Sequence, residues 1–121
     1  MLLKDYYQIM ARRQEGEVAI FDISLLPDSK VYEGHFPGYA VSPGVCNIEM
    51  LKECAEHVAG LPLRIKEMKS CRLTTLVRPE THPMAEVRIQ LEKTEDNYIL
   101  NATLGKDDET YLSMKATLVA E

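Results

Sequence analysis

The 121-residue sequence is poor in cysteine, has no long apolar run and carries no surplus of positive charge. Each shortage closes a class of function. Its three cysteines, Cys46, Cys54 and Cys71, are an odd number without C-x-x-C spacing, so neither a disulfide framework nor a zinc ribbon is indicated, and a reducing cytoplasm fits. No stretch approaches the roughly 18 apolar residues that cross a bilayer, and Met1 to Arg13 places Asp5 and two tyrosines where a signal peptide needs a basic end and an apolar core. No membrane partner is expected. Fourteen Lys and Arg against 19 Asp and Glu give a net charge of −5, which repels a nucleic-acid backbone. The glycines lack the G-K-[ST] ending of a phosphate cradle, and G-x-S-x-G is absent. No cofactor is expected.

Hydrophobic residues at 45% and charged residues at 27% predict one ordinary globular domain over residues 1–121. Glycine and proline are concentrated: Gly34, Pro37, Gly38, Pro43 and Gly44 fall within eleven residues, which predicts an ordered, unusual loop. Ser42 then caps a helix, Pro43 suits its first position, and Gly60 with Pro62 stops it, predicting a helix from Pro43 to Ala59. Its first half, with Val45, Cys46, Ile48, Met50 and Leu51, is apolar almost all round, while Lys52, Glu53, Glu56 and His57 make the second half polar on one side. The helix is expected to start deep in the core and emerge toward water.

The remainder alternates with period two, as strands with one buried face do. Val87, Ile89 and Leu91, then Leu100, Ala102 and Leu104, then Leu112, Met114, Ala116 and Leu118 form three such rows. Turn signals at residues 95–97 and 105–108 make these an antiparallel meander. Earlier strands are expected at Glu17 to Ser24 and Ile65 to Val77. One long helix with five or more antiparallel strands is an α+β layer fold.

Residues Gly34 to Glu49 read G-H-F-P-G-Y-A-V-S-P-G-V-C-N-I-E. This segment resembles the active-site signature of the β-hydroxyacyl-acyl-carrier-protein dehydratases of the FabA/FabZ type: the H-F-P-G tetrapeptide, the P-G-V that opens the helix and the spacing from His35 to Glu49 all match. Val31-Tyr32-Glu33 upstream and Arg72-Leu73 with Val77-Arg78-Pro79 downstream extend the similarity. The resemblance implies a hot-dog fold, a sheet wrapped around one helix, whose dimer joins two sheets edge to edge and builds each site from the histidine of one subunit and the acid of the other. A trimer of such dimers also occurs in the family.

Removing water from a 3-hydroxyacyl thioester requires a base for the Cα proton, an acid for the departing hydroxyl and donors for the enolate-like oxygen. His35 is the candidate base, an imidazole largely neutral at cytoplasmic pH. Glu49 is the candidate acid, because burial among Val45, Ile48 and Met50 favours the protonated form. The free N–H groups of Gly44 and Val45 at the helix start are the candidate oxyanion donors. The resemblance further implies that the backbone carbonyl of Val41 holds the histidine ring. Arg64, Lys66, Lys69, Arg72 and Arg78 outnumber Glu67 and Glu80 and form a candidate docking patch for an acidic acyl carrier protein, a solvated strand face being the plainer reading.

Cys54 and His57 lack further ligands at matching intervals, so a solvated helix face is expected there rather than a metal site. Ser42 stands where many members have methionine, Lys52-Glu53 replaces a small residue and glutamine, and Pro79-Glu80-Thr81 replaces a proline, glycine and aspartate turn. The N-terminus also lacks the segment that precedes the first long strand in the family. Glutamate at position 49 looks more like the FabZ branch. Two rivals share the fold: an acyl thioesterase, which releases free thiol, and a non-catalytic protein that binds acyl carriers.

Overall fold

Residues 5–26, 44–79 and 82–121 are described in the computed structural model of the chain, and they form six strands and one helix in the order β1 (Tyr7–Glu15), β2 (Val18–Leu25), α1 (Gly44–Ala59), β3 (Leu63–Leu73), β4 (Met84–Lys93), β5 (Tyr98–Lys106) and β6 (Glu109–Ala120). The strands make one sheet in the order β1-β2-β4-β5-β6-β3, with every neighbouring pair antiparallel. The sheet wraps around α1, and this is the hot-dog fold. The helix intervenes between β2 and β3, and β3 joins the sheet at the edge opposite β1, beside β6.

The period-two rows become the inner face. Val87 pairs with Leu104 and Ile89 with Ala102, Leu100 pairs with Ala116 and Ala102 with Met114, and all of these side chains are buried. The meander turns where its residues direct. Asp107 takes φ 55°, a left-handed conformation that Asp tolerates better than most residues. At the other turn Thr94 N–H donates to the Asn97 carbonyl at 2.9 Å.

Against this face pack Met50, Leu51, Cys54 and Ala55 of α1, each fully buried. Burying Met50 and Leu51 contributes about 1.5–3 kcal/mol apiece. The helix ends at Gly60, whose φ of 76° lets its N–H reach the Glu56 carbonyl at 2.8 Å, a left-handed cap. No helix among the described residues is long and apolar enough to cross a membrane.

One strand is new and three expectations are corrected. First, β1 has no counterpart in the sequence reading, because only Tyr7 and Ile9 of its residues are even partly buried and an exposed edge strand needs no alternation. Second, β3 runs Leu63–Leu73 rather than Ile65–Val77. The strand ends where the Thr74 and Thr75 N–H groups both turn to the one Tyr111 carbonyl, at 2.8 and 3.4 Å. Third, α1 is most deeply buried at its middle rather than its start: Val45 is 72% exposed, whereas Lys52 and Glu53 are buried, because the central turns lie over β3, β4 and β5. Fourth, Cys54 does not lie on a solvated face; it is in the core, and only His57 is exposed.

Candidate active site

The helix start and the turns that follow carry the described part of the site. Gly44 is the first residue of α1, and a Cβ built there would meet nothing within 4 Å. Neither a left-handed backbone nor packing within the chain therefore demands glycine at this position. Val45 next to it is 72% exposed. His35, Val41, Ser42 and Pro43 lie outside the described residues, as does the turn at Glu80-Thr81.

Glu49 stands on the next turn with its side chain 18% exposed, and the Lys52 ammonium lies 3.1 Å from its Oε1. This is a charge–charge contact rather than a linear hydrogen bond. The same ammonium is 3.6 Å from Glu56 Oε2, which accepts the Leu63 N–H at 2.7 Å. The surroundings of Glu49 are thus ionic on the Lys52 side, where the sequence led us to expect an apolar enclosure. Burial works against the Lys52 charge, yet Glu49 and Glu56, with Glu121 further off, more than offset it and hold the ammonium's pKa above the usual lysine value.

Two tyrosines at the start of β1 grip the other side of the helix. Tyr7 Oη donates to Glu53 Oε1 at 2.9 Å, and Tyr6 Oη donates to Asn47 Oδ1. Burial, reinforced by Cys54 and Glu53, pushes the Tyr7 phenol well above its ordinary pKa. The same causes act on the Cys54 thiol: burial first, then Glu53, push it up to about 12. Cys46 is raised by burial and by Glu49. Neither helix cysteine is a ready thiolate nucleophile. Asn47 is buried, and its Nδ2 meets no hydrogen-bond partner among the described residues.

The basic residues of the candidate docking patch lie on two elements. Arg64, Lys66, Lys69 and Arg72 are all exposed along β3, but Lys66 and Lys69 sit at its two bulges and Lys69 pairs with Glu67 at 3.1 Å. Arg78 belongs to the next loop, where its N–H meets His82 Nδ1 at 3.2 Å. Among the described residues no group of three or more His, Cys, Asp or Glu side chains is arranged to hold a metal ion. The sequence reading missed Tyr6, Tyr7 and Asn47 altogether. Lys52 was read as part of a polar helix face and as a departure from the family pattern, and the signal for its pairing was the spacing of Glu49, Lys52 and Glu56 at three and four residues.

A six-stranded antiparallel sheet wrapped on one helix defines a hot-dog protein. The sequence profile of the ApeI-like family, described as ApeI dehydratase, matches residues 11–115, and the chain belongs to that family. It is 26% identical over 116 residues, 89% of this chain and 81% of the other, to the 3-hydroxyacyl-[acyl-carrier-protein] dehydratase FabZ of Latilactobacillus sakei subsp. sakei (strain 23K). Among solved structures it is similar to the dehydratase heterocomplex ApeI:P from Xenorhabdus doucetiae, with TM-score 0.72 and 18% identity over 93% of this chain and 96% of that one. A mutant of the thioesterase SAV0944 from Staphylococcus aureus subsp. aureus Mu50 superimposes with TM-score 0.64 at 13% identity, covering 97% of this chain and 94% of that chain.

Proposed function

We propose that the protein removes water from 3-hydroxyacyl thioesters carried on an acyl carrier protein in the cytoplasm, giving the trans-2-enoyl thioester in the manner of the FabA/FabZ enzymes. His35 takes the proton from Cα, the C–O bond breaks as the double bond forms, and Glu49 protonates the departing hydroxyl to give water. The proton on His35 returns to Glu49 through solvent and resets the site. The amides of Gly44 and Val45 stabilise the charge on the thioester oxygen, and the Val41 carbonyl orients the imidazole. The observation that carries the reading is the position of Glu49, a partly buried carboxyl five residues into the one helix described, in a member of a dehydratase family.

Each site takes His35 from one subunit and Glu49 from the other in a homodimer joined at β3, and three dimers make a hexamer. Support comes from the register of β3. Ile65, Met68, Cys71 and Leu73 pair with Leu118, Ala116, Met114 and Leu112, which puts them on the helix side of the sheet. Met68 is nevertheless 37% and Leu73 47% exposed. An apolar row left bare at a sheet edge is what a second chain covers. Since the Xenorhabdus dehydratase is a heterocomplex, a non-identical second chain is the alternative. Arg64, Lys66, Lys69, Arg72 and Arg78 offer positive charge to an acidic carrier.

A second reading, acyl thioesterase, is favoured by one observation: a carboxyl in contact with an ammonium is suited to take a proton from attacking water. Incubation with a 3-hydroxyacyl thioester separates the two. Enoyl product without thiol release is expected, and His35→Ala abolishes it while leaving the fold intact. Thiol release in its place overturns the dehydratase reading, and turnover of neither kind leaves the carrier-binding protein.

A further inference from the structure

Lys52 is a charged side chain buried in the middle of the only helix among the described residues, and the proposed chemistry does not use it. Its side chain is 8% exposed, against 18% and 17% for Glu49 and Glu56. Lysine this buried survives only when paired. Pairing of this kind is a weak source of stability, because an apolar side chain of the same volume serves about as well. What the arrangement does provide is geometry. Glu49, Lys52 and Glu56 lie on one stripe of the helix at spacings of three and four, so the ammonium is held between two carboxylates on successive turns. The far carboxylate is itself tied to the backbone, since Glu56 Oε2 accepts the Leu63 N–H at 2.7 Å. Leu63 is the first residue of β3.

We propose that Lys52 is a positioning residue for Glu49: clamped between Glu49 and Glu56, it registers the Glu49 carboxyl against the start of β3, the strand at which the second chain docks. The inference rests on the reading of Glu49 as the reacting carboxyl and holds for dehydration and thioester hydrolysis alike. A carboxyl on a free side chain samples several rotamers, and misplacement by about 1 Å costs a reacting group on the order of a hundredfold in rate. An ammonium anchored at its far end removes that freedom. The site is thereby fixed relative to the edge across which His35 is to arrive.

The test compares Lys52→Met, Lys52→Arg, Glu56→Gln and Glu49→Gln with the full chain on one 3-hydroxyacyl thioester. Lys52→Met is expected to lower kcat about tenfold or more with KM within about twofold, Lys52→Arg to recover most of that loss, and Glu56→Gln to give a smaller loss of the same kind. A separate reading needs no turnover: at fixed neutral pH, the 13Cδ resonance of Glu49 in glutamate-labelled protein is expected to be single and sharp in the wild type and in Lys52→Arg, and shifted or broadened in Lys52→Met. Unchanged kcat in Lys52→Met, with Glu49→Gln inactive, overturns the positioning role and leaves the proposed function standing. Full activity in Glu49→Gln overturns the proposed function and, with it, the positioning role that rests on Glu49 as the reacting carboxyl. An identical Glu49 signal in all folded Lys52 variants sinks it. Where Lys52→Met fails to fold, Glu56→Gln, which releases the same clamp, carries the same two readings.

Discussion

The two edges of the sheet are finished differently. At the β1 edge the chain closes its own work: Tyr7 donates to Glu53, Ile9 packs on the core, and the Arg12 guanidinium lies 5.2 Å over the Phe21 ring while reaching the His57 carbonyl at 3.4 Å. At the β3 edge the helix covers only the beginning of the strand. Leu63 is buried, but Met68, Cys71 and Leu73 face the helix side with nothing comparable over them. One edge spends its side chains on intramolecular contacts, and the other presents apolar surface and two bulges. The β1 edge is thus tied to the helix by its own side chains, whereas the β3 edge carries the apolar surface on which the proposed association would act.

The sharpest way to break this contrast is at β3. Met68→Asp with Leu73→Asp places charge in the bare row, and the expected outcome is a folded monomer by light scattering and circular dichroism, with association weakened about a hundredfold or more and turnover lost with it. The core under both edges responds as any core does. Leu51→Ala is expected to cost about 2–5 kcal/mol in urea unfolding with the assembly retained.

Next in size comes the tyrosine at the β1 edge. Tyr7→Phe removes the hydroxyl that donates to Glu53 and is expected to cost about 1–3 kcal/mol. The alkaline limb sharpens this. Tyr7 and Cys54 have pKa values raised on folding, by burial first and then by their acidic neighbours. They ionise more readily in the unfolded chain, at 10.0 and 9.0. Their contribution to stability is accordingly complete below the unfolded values and lost as pH rises, for Cys54 between 9.0 and about 12. Unfolding free energy should fall above that lower bound, and less steeply in Cys54→Ala and in Tyr7→Phe. A flat profile in the wild type contradicts the burial of both groups. The smallest effect is expected at Met10, 55% exposed at the β1 bulge. Met10→Lys should change stability by less than about 0.5 kcal/mol and leave the assembly as it was.

Legibility of the sequence followed the same division. The meander was readable because β4, β5 and β6 each bury one face, and period two is the direct imprint of that burial. The helix was readable because Gly60 and the apolar spacing marked its end and its packing side. At β1 the signal was lost: an edge strand with six consecutive exposed residues carries no alternation, and Tyr6 and Tyr7 act through hydroxyls that reach a helix some forty positions away. The depth of the helix was misjudged for a related reason. Lys52 and Glu53 read as a polar face by type, but they are buried because each has a charged or hydroxyl partner, and pairing across elements leaves no periodic trace. In the candidate site, Glu49 was legible from a motif, whereas its contact with Lys52 was visible only as an unremarked three-residue spacing.

The account turns on a site completed across two chains, and mixing inactive variants measures this most directly. His35→Ala and Glu49→Gln, each inactive alone, are to be combined in equal amounts, exchanged through mild denaturant and assayed for enoyl thioester. In a mixed dimer one site carries both substitutions and the other carries neither, so random pairing restores about a quarter of wild-type activity. If mixed dimers form and no activity returns, the histidine and the acid work within one chain, and the shared site is contradicted.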